Sequence, residues 1–409
     1  MRVIPIAVAA PKPTPSVNGR ATALTTLPPL SLYVHYPWCV RKCPYCDFNS
    51  HEARNGPDNI PEAEYVAALI ADLEAALPQI WGRRIVSVFF GGGTPSLLSA
   101  QGLDTLLTAL RARLALLPDA EITLEANPGA IEADKFAAFR AAGVNRLSLG
   151  IQSFDDRHLA ALGRIHSAPD ARHAIDLAQR QFDNLNLDLM YALPQQTLAE
   201  ARQDIESAAA CGVAHISAYH LTLEPNTPFH HAPPPLPDDD LAADMQDMVE
   251  ATLASAGYQH YETSAFARPG RGCAHNLNYW NFGDYLGIGA GAHGKISSPQ
   301  GVVRETRRKH PRDYLAAVAR GDFVQERKSV GRDELPFEFM MNALRLTEGF
   351  PARSFEERTG LPLGAIQAEL DAARNSGLLE ISAQRLAPSA RGRRFLNQLL
   401  LEFLPRRRR

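Results

Sequence analysis

Three of the chain's five cysteines, Cys39, Cys43 and Cys46, fall in one short stretch, CVRKCPYCDF. Their spacing is C-x3-C-x2-C, one thiolate short of the usual metal set. Structural zinc prefers four protein ligands, commonly two separated pairs, so Cys211, Cys273 or a histidine would have to complete it. A redox pair made of Cys43 and Cys46 would leave Cys39 without a role. An iron–sulfur cluster normally takes four thiolates. Held by three, it would keep one iron open to a small ligand, much as a catalytic zinc keeps an open position. The loop directly follows the first strand-like segment of an α/β repeat, where a cofactor pocket is expected. That placement favours a cluster over zinc.

The elements that must position this loop alternate along the chain. SLYVH, IVSVFF, EITLEA, RLSLGIQ, NLNLDLMYAL and HISAYHL read as strands. IVSVFF is nearly continuously apolar, as in a strand buried on both faces. Helical stripes fall between them: Val66, Leu69, Ile70, Leu73 and Leu77 on one face, then Leu103, Leu106, Leu107, Leu110 and Leu114, with Ser99 as N-cap. Six such units predict an α/β fold with a parallel sheet, either a closed or partial barrel or a doubly wound sheet. In each case function sits at the C-terminal strand ends. Polar signals fall there: Cys39 after the first strand, GGGTPS after the second, Glu125 at the third, Gln152 at the fourth and Asp188 at the fifth.

Residues 1–30, rich in Pro, Ala and Thr, read as a mobile leader. Residues 31–230 hold the barrel-type repeat. Residues 231–329 begin with a proline-rich acidic loop, HAPPPLPDDD, and form a barrel-closing region of mixed structure. Residues 330–409 read as two helices and a hairpin, the outline of a winged-helix-like module. Glu369 and Asp371 on its second helix favour packing over DNA binding. The terminal RRRR reads as a solvated tail. A net charge of −3 gives no push toward nucleic acid or anionic membrane. No apolar run is long enough to span a bilayer. The cysteines do not form a disulfide framework, so a reducing, cytoplasmic compartment is expected.

YVHYPWCVRKCPYCDF resembles the cluster loop of the radical SAM enzymes. The resemblance implies a 4Fe-4S cluster on Cys39, Cys43 and Cys46, and a partial (β/α)6 barrel of TIM type. It also implies that the open iron takes the amino and carboxylate groups of S-adenosylmethionine (SAM). An electron from the cluster would then cleave the sulfonium to methionine and a 5′-deoxyadenosyl radical. The fourth thiolate is missing because the cosubstrate supplies the ligand. In the family's pattern Gly92, Gly93 and Thr94 of GGGTPS meet the methionine amino group. Glu125 in EANPG binds a ribose or ammonium group. Gln152 in GIQSF, Arg164 in GRIH and Asp188 in LDLMYALP supply a polar donor, a carboxylate clamp and a ribose acceptor. Tyr33 would lie beside the cluster. Each of these residues alone is more often a surface or structural residue; the ordered set is what is specific.

GRIHSA, NLDLMYALPQQT, YHLTLEPNTPF and YETSAFA extend the resemblance to the HemN-like branch of the superfamily, from Leu32 to near the C-terminus. Two groups in that branch differ at telling places. The oxygen-independent coproporphyrinogen III dehydrogenases carry a further cysteine two residues after the third, where this chain has Phe48. The heme chaperones read C-D-F there, as this chain does, and carry an H-N-x-x-Y-W motif, here His275 to Trp280. A heme chaperone is therefore expected, one that hands its cargo to an apo-hemoprotein such as a respiratory hemoprotein. That acceptor could be membrane-associated, and an electron donor would serve the cluster. The alternative is a dehydrogenase converting two propionates to vinyls. Neutral imidazole is a common axial ligand of heme iron. Tyr279 and Trp280 could pack on a porphyrin, and Asn276 could orient the ring or hold a propionate. The residues alone favour a satisfied histidine with core aromatics; the resemblance implies a heme-binding role for His275, Asn276, Tyr279 and Trp280. Cys211 and Cys273 read as core thiols. His35, His166, His215, His220 and His293 gain no ligand role from spacing.

Overall fold

The computed structural model describes residue 24 and residues 26–53, 56–130 and 133–405. Most of the expected leader and the terminal Arg406–Arg409 run lie outside the described residues. Six strands run parallel: β1 (Leu30–Tyr36), β2 (Arg84–Gly92), β3 (Ala115–Ala126), β4 (Arg146–Gln152), β5 (Leu185–Tyr191) and β6 (His215–His220). They pair in chain order. A doubly wound sheet would reverse its order at a switch point, so this is the barrel-type winding. β1, β4 and β5 are buried along almost their whole length, because helices cover one face and the barrel interior fills the other. The covering helices include α1 (Glu62–Ile80) and α2 (Ala100–Arg113). Leu69, Leu73, Leu103, Leu106, Leu107 and Leu110 on them are fully buried, as the stripes require. Ser99 caps α2 by accepting from the Gly102 N–H at 2.9 Å.

The sheet continues beyond both ends of the repeat. Past β6 it adds two antiparallel strands, β7 (Gln259–Glu262) and β8 (Ala265–Ala267). On the other side β9 (Asp284–Ile288) pairs parallel to β1, from Leu30 with Asp284 to Val34 with Ile288. Three antiparallel strands follow, β10 (His293–Ser298), β11 (Gly301–Arg307) and β12 (Val324–Ser329). The result, among the described residues, is an open twelve-stranded sheet, a partial barrel. Buried ion pairs seat the added strands. Lys295 lies 2.9 Å and Arg83 2.7 Å from Asp284, and Arg307 bridges Asp72 of α1 and Glu305. Removing one partner of such a pair costs about 3–5 kcal/mol, since the other is left charged in the interior.

The acidic loop runs into helix α3 (Asp239–Ser255), capped by Asp238. The C-terminal module has helices at Ala352–Thr359 and Gln367–Asn375, then an antiparallel pair at Leu379–Ile381 and Arg385–Pro388, matching the helix–helix–hairpin outline. Phe350–Pro351 adds a third strand. Its core, around Phe339, Phe350, Phe355 and Leu370, also takes in Phe282 and Val302, so the module shares its apolar packing with the end of the sheet.

Candidate functional site

The cysteine loop leaves the tip of β1 and is held by the tip of β2. The Gly93 N–H donates to Tyr36 O at 2.7 Å, and the Thr94 N–H to Trp38 O at 2.8 Å. A side chain at Gly93 would meet Trp38 O at 2.5 Å; at Gly92, where φ is +111°, it would run into the His35 ring. The glycines are required for this close approach, whatever else they bind. Cys46 N–H donates to Cys43 O at 3.2 Å and closes the turn between the second and third thiols. Phe229 N–H donates to Pro44 O at 3.1 Å, and Tyr45 packs on the apolar cluster of Leu162, Met190, Leu193, Leu221 and Phe229. The loop is thus clamped on two sides.

A cavity of about 360 Å³ opens beneath it at the C-terminal ends of β2 to β6. All three thiols line it, with Gly92, Gly93, Glu125, Gln152, Arg164 and Asp188. Thr94 is also on its wall. Seven of the eight residues expected around SAM therefore converge with the cysteines, although they come from segments far apart in the chain. Tyr33 is the exception. It faces a neighbouring cavity, with its hydroxyl 2.7 Å from His35 Nδ1. Asn127, Ser148, Met190 and Tyr219 also line the first cavity and were not singled out from the sequence. Asn127 sits two residues after Glu125 in the EANPG stretch and could have been found there. Tyr219 and Met190 carried no polar signal.

Arg164 and Asp188 have fixed partners. Arg164 donates through Nη2 to Gly150 O at 2.9 Å and Asn127 Oδ1 at 2.5 Å, and its Nη1 lies 3.5 Å from Cys43 Sγ. Asp188 accepts from Ser148 Oγ at 2.8 Å and Asn186 Nδ2 at 2.9 Å. Burial pushes its carboxyl upward against those bonds. Glu125 is pushed up to about 8, first by burial and then by the nearby Asp188, so it holds a proton at neutral pH. Gln152 adopts the left-handed backbone, φ +67°, a strained conformation of the kind that accumulates at functional sites.

The donor set can be tested against its metal. Among the described residues, triads of ligand atoms all within 4.8 Å occur at Glu121, Cys273 and His275 and at Asp155, His158 and Glu200, and not at the cysteine loop. Thiolates around one zinc ion stand roughly 3.8 Å apart, given Zn–S bonds of about 2.3 Å. At least one pair of the three thiols therefore stands beyond 4.8 Å, a spread open to a cluster whose thiolates bind different irons.

The second cavity, about 530 Å³, is lined by Tyr33, Phe89, Tyr279, Trp280, Tyr285 and the loop residues Asp47, Phe48 and Asn49, among others. Gly92, Glu125, Asp47 and Phe48 line both cavities, so the two share a wall. The expected heme motif forms helix α4 (Ala274–Trp280). The structure divides its residues. Tyr279 and Trp280 reach the cavity. His275 does not: its ring is buried, stacked on Phe89, with Nδ1 3.2 Å from Glu121 Oε1. As arranged, it is not presented as an iron ligand. Asn276 is half-buried and lines neither cavity. Glu121 also accepts from the Ala274 N–H at 3.0 Å, so this carboxylate caps the start of α4. Cys273 is buried in a core position, with Sγ 3.1 Å from His275 Nδ1, whereas Cys211 is half-buried, packs against the core and donates to Ser207 O at 3.2 Å.

Residues 33–208 match the Radical SAM superfamily and residues 330–395 the HemN C-terminal domain. The structure resembles the coproporphyrinogen III oxidase HemN of Escherichia coli, described as a radical SAM enzyme, with a TM-score of 0.78 over 94% of this chain and 92% of that one. At 24% identity that likeness speaks for the fold alone. The class is thus a radical SAM protein with a HemN-type C-terminal domain. Over 383 residues the chain is 48% identical to a protein of Escherichia coli (strain K12) named Heme chaperone HemW, covering 93% of this chain and all of that one. A Mycobacterium tuberculosis (strain ATCC 25618 / H37Rv) protein of the same name is 38% identical, covering 89% of this chain and 92% of its own length. The chain belongs to the HemW family.

Proposed function

We propose that the chain is a heme chaperone, which binds heme and passes it to an apo-hemoprotein. What carries this is the likeness of nearly the whole chain to proteins named Heme chaperone HemW. An aromatic-walled cavity beside the cysteine loop supports it, because flat apolar cargo needs such walls. Cys39, Cys43 and Cys46 would hold a 4Fe-4S cluster and the first cavity SAM. When bound, the pair supplies one-electron cleavage of the sulfonium. Gly92, Gly93 and Thr94 would take the methionine amino end, Arg164 a carboxylate, and Asp188 and Glu125 the ribose or ammonium. Gln152 would add a polar donor. Tyr279 and Trp280 flank the cargo, while His275 and Glu121 fix the helix that carries them. The division at 31–230, 231–329 and 330–409 belongs to the same proposal, as does a cytoplasmic site of action. Among the described residues no helix is long and apolar enough to cross a membrane. The acceptor is proposed to be a respiratory hemoprotein, soluble or membrane-associated, and a separate donor reduces the cluster.

The test is anaerobic. The protein is reconstituted with iron and sulfide, loaded with heme and mixed with an apo-cytochrome of a respiratory chain. A second sample receives SAM, a strong reductant and coproporphyrinogen III. Heme transfer without protoporphyrinogen formation is expected. Protoporphyrinogen accumulating with stoichiometric 5′-deoxyadenosine would make the protein a dehydrogenase instead.

A further inference from the structure

The enclosed His275 leaves open which group would hold heme iron. The second cavity narrows the choice. Its walls carry two histidines, His35 and His293, and three tyrosines, Tyr33, Tyr279 and Tyr285. His35 is occupied on both ring nitrogens, by the Tyr33 hydroxyl at Nδ1 and by Asn49 O at 3.0 Å from Nε2. It cannot ligate iron without giving up one of these buried bonds. The three phenols are all pushed above their usual range by burial, so none offers a phenolate. Tyr285 is further held by Arg304, whose Nη1 donates to its hydroxyl at 2.7 Å.

His293 is different. It is exposed at the start of β10, on the cavity wall. Its Nδ1 lies 3.3 Å from Thr306 Oγ1 on the paired strand β11. With the proton on Nδ1, that nitrogen donates to the threonine and leaves the Nε2 lone pair free. A ligating imidazole is commonly oriented in this way, by a bond from its other nitrogen. Desolvation by the surrounding cavity wall and the fields of Lys309 and Arg304 hold the ring below its ordinary pKa, hence neutral at pH 7. The position is also fixed. His293 follows a turn at Gly289–Ala292 that is tied to the cysteine loop, where Asn49 Nδ2 donates to Ala290 O at 2.9 Å and to Lys309 O at 2.8 Å. A side chain at Gly291, φ +81°, would meet Asn49 Nδ2 at 2.2 Å, so only glycine permits this approach.

We propose, resting on the heme-chaperone function above, that heme occupies the second cavity with His293 Nε2 as its axial iron ligand, between the aromatic side chains of Tyr279, Trp280 and Phe48. Coordination displaces a weak ligand from ferric iron and involves no electron transfer.

The test is a titration of the full-length protein with ferric heme, followed by the Soret band and electron paramagnetic resonance. Wild type is compared with His293→Ala and His275→Ala, and folding is checked by circular dichroism. His293→Ala is expected to weaken binding at least roughly tenfold and to lose the imidazole-ligated signature. Exogenous imidazole should restore that signature by entering the vacated space. His275→Ala, where folded, keeps it. A His293→Ala protein with the wild-type spectrum and affinity overturns the assignment while leaving the chaperone function standing. Because His293 is exposed, folding of that variant is not at issue; Thr306→Val, which frees the ring to rotate, serves as the second variant and should shift the ligand signature without abolishing binding. A wild-type protein that binds no heme overturns the chaperone function itself, and the ligand assignment with it.

Discussion

Phe89 and His275 stack face to face, ring centroids 4.1 Å apart and planes within 8°. The contact joins β2 to α4 and explains why the histidine of the HNLNYW motif is turned from the cavity. On its edge the ring meets Glu121, itself 3.8 Å from the buried Arg146. Burial pushes the Glu121 carboxyl up, but His275 and Arg146 outweigh it and hold it well below the usual range.

His275→Ala should therefore act first on stability. It removes a packed ring and leaves Glu121 with fewer partners, at a cost of about 2–4 kcal/mol. Denaturant unfolding measures this. Glu121 is ionised in the fold below its unfolded pKa, so its contribution is present above roughly pH 4.3 and fades as pH falls. The variant should lose that acid-side slope.

Cys39→Ser, Cys43→Ser and Cys46→Ser should each lower bound iron and labile sulfide to near background after reconstitution. Cys211→Ser and Cys273→Ser should not, because those thiols line neither cavity. Iron and sulfide analysis checks both halves. Zinc in place of iron and sulfide would overturn the cluster assignment.

Glu125 gives a signed pH dependence. Its carboxyl moves from about 4.5 in the unfolded chain up to about 8 in the fold, so folding takes up a proton between those values. Stability contributed by this group is therefore full below 4.5 and is lost as pH rises through 8. Glu125→Gln should flatten that decline, a gain on the order of a few kcal/mol at pH 9. It should also weaken SAM binding, which isothermal titration calorimetry measures.

Phe48 lies in the shared wall and is 61% exposed. Phe48→Ala should leave iron content unchanged, since the thiols keep their backbone supports. Heme affinity should fall by roughly 1–2 kcal/mol from lost ring contact, read in the same Soret titration.

Much of the fold is legible in the chain. The six parallel strands and their helices announce themselves by continuous apolar runs alternating with helical stripes, and the polar residues at strand ends mark the first cavity. Asp284–Ile288 is harder. DYLGI has no alternation and gains its place only by pairing with β1, some 250 residues earlier. The second cavity is invisible from sequence for that reason, since its walls come from β1, β2, α4, β9 and β10 at once. A ligand histidine and a satisfied one look alike in a motif; what separates them at His275 is Glu121, which lies far away in the chain. His293 offers no spacing at all, and only the fold brings it to the aromatic residues.

The shared wall has a consequence for how this sequence can change. Asp47 and Phe48 follow the last cluster cysteine immediately and border both cavities, while Asn49 pins the turn that carries His293. No substitution in this segment is a single adjustment. Under the proposed function, a residue chosen to suit the cosubstrate also resets the cargo space, and the reverse holds. Two specificities are written into the same few letters, so they can only be revised together.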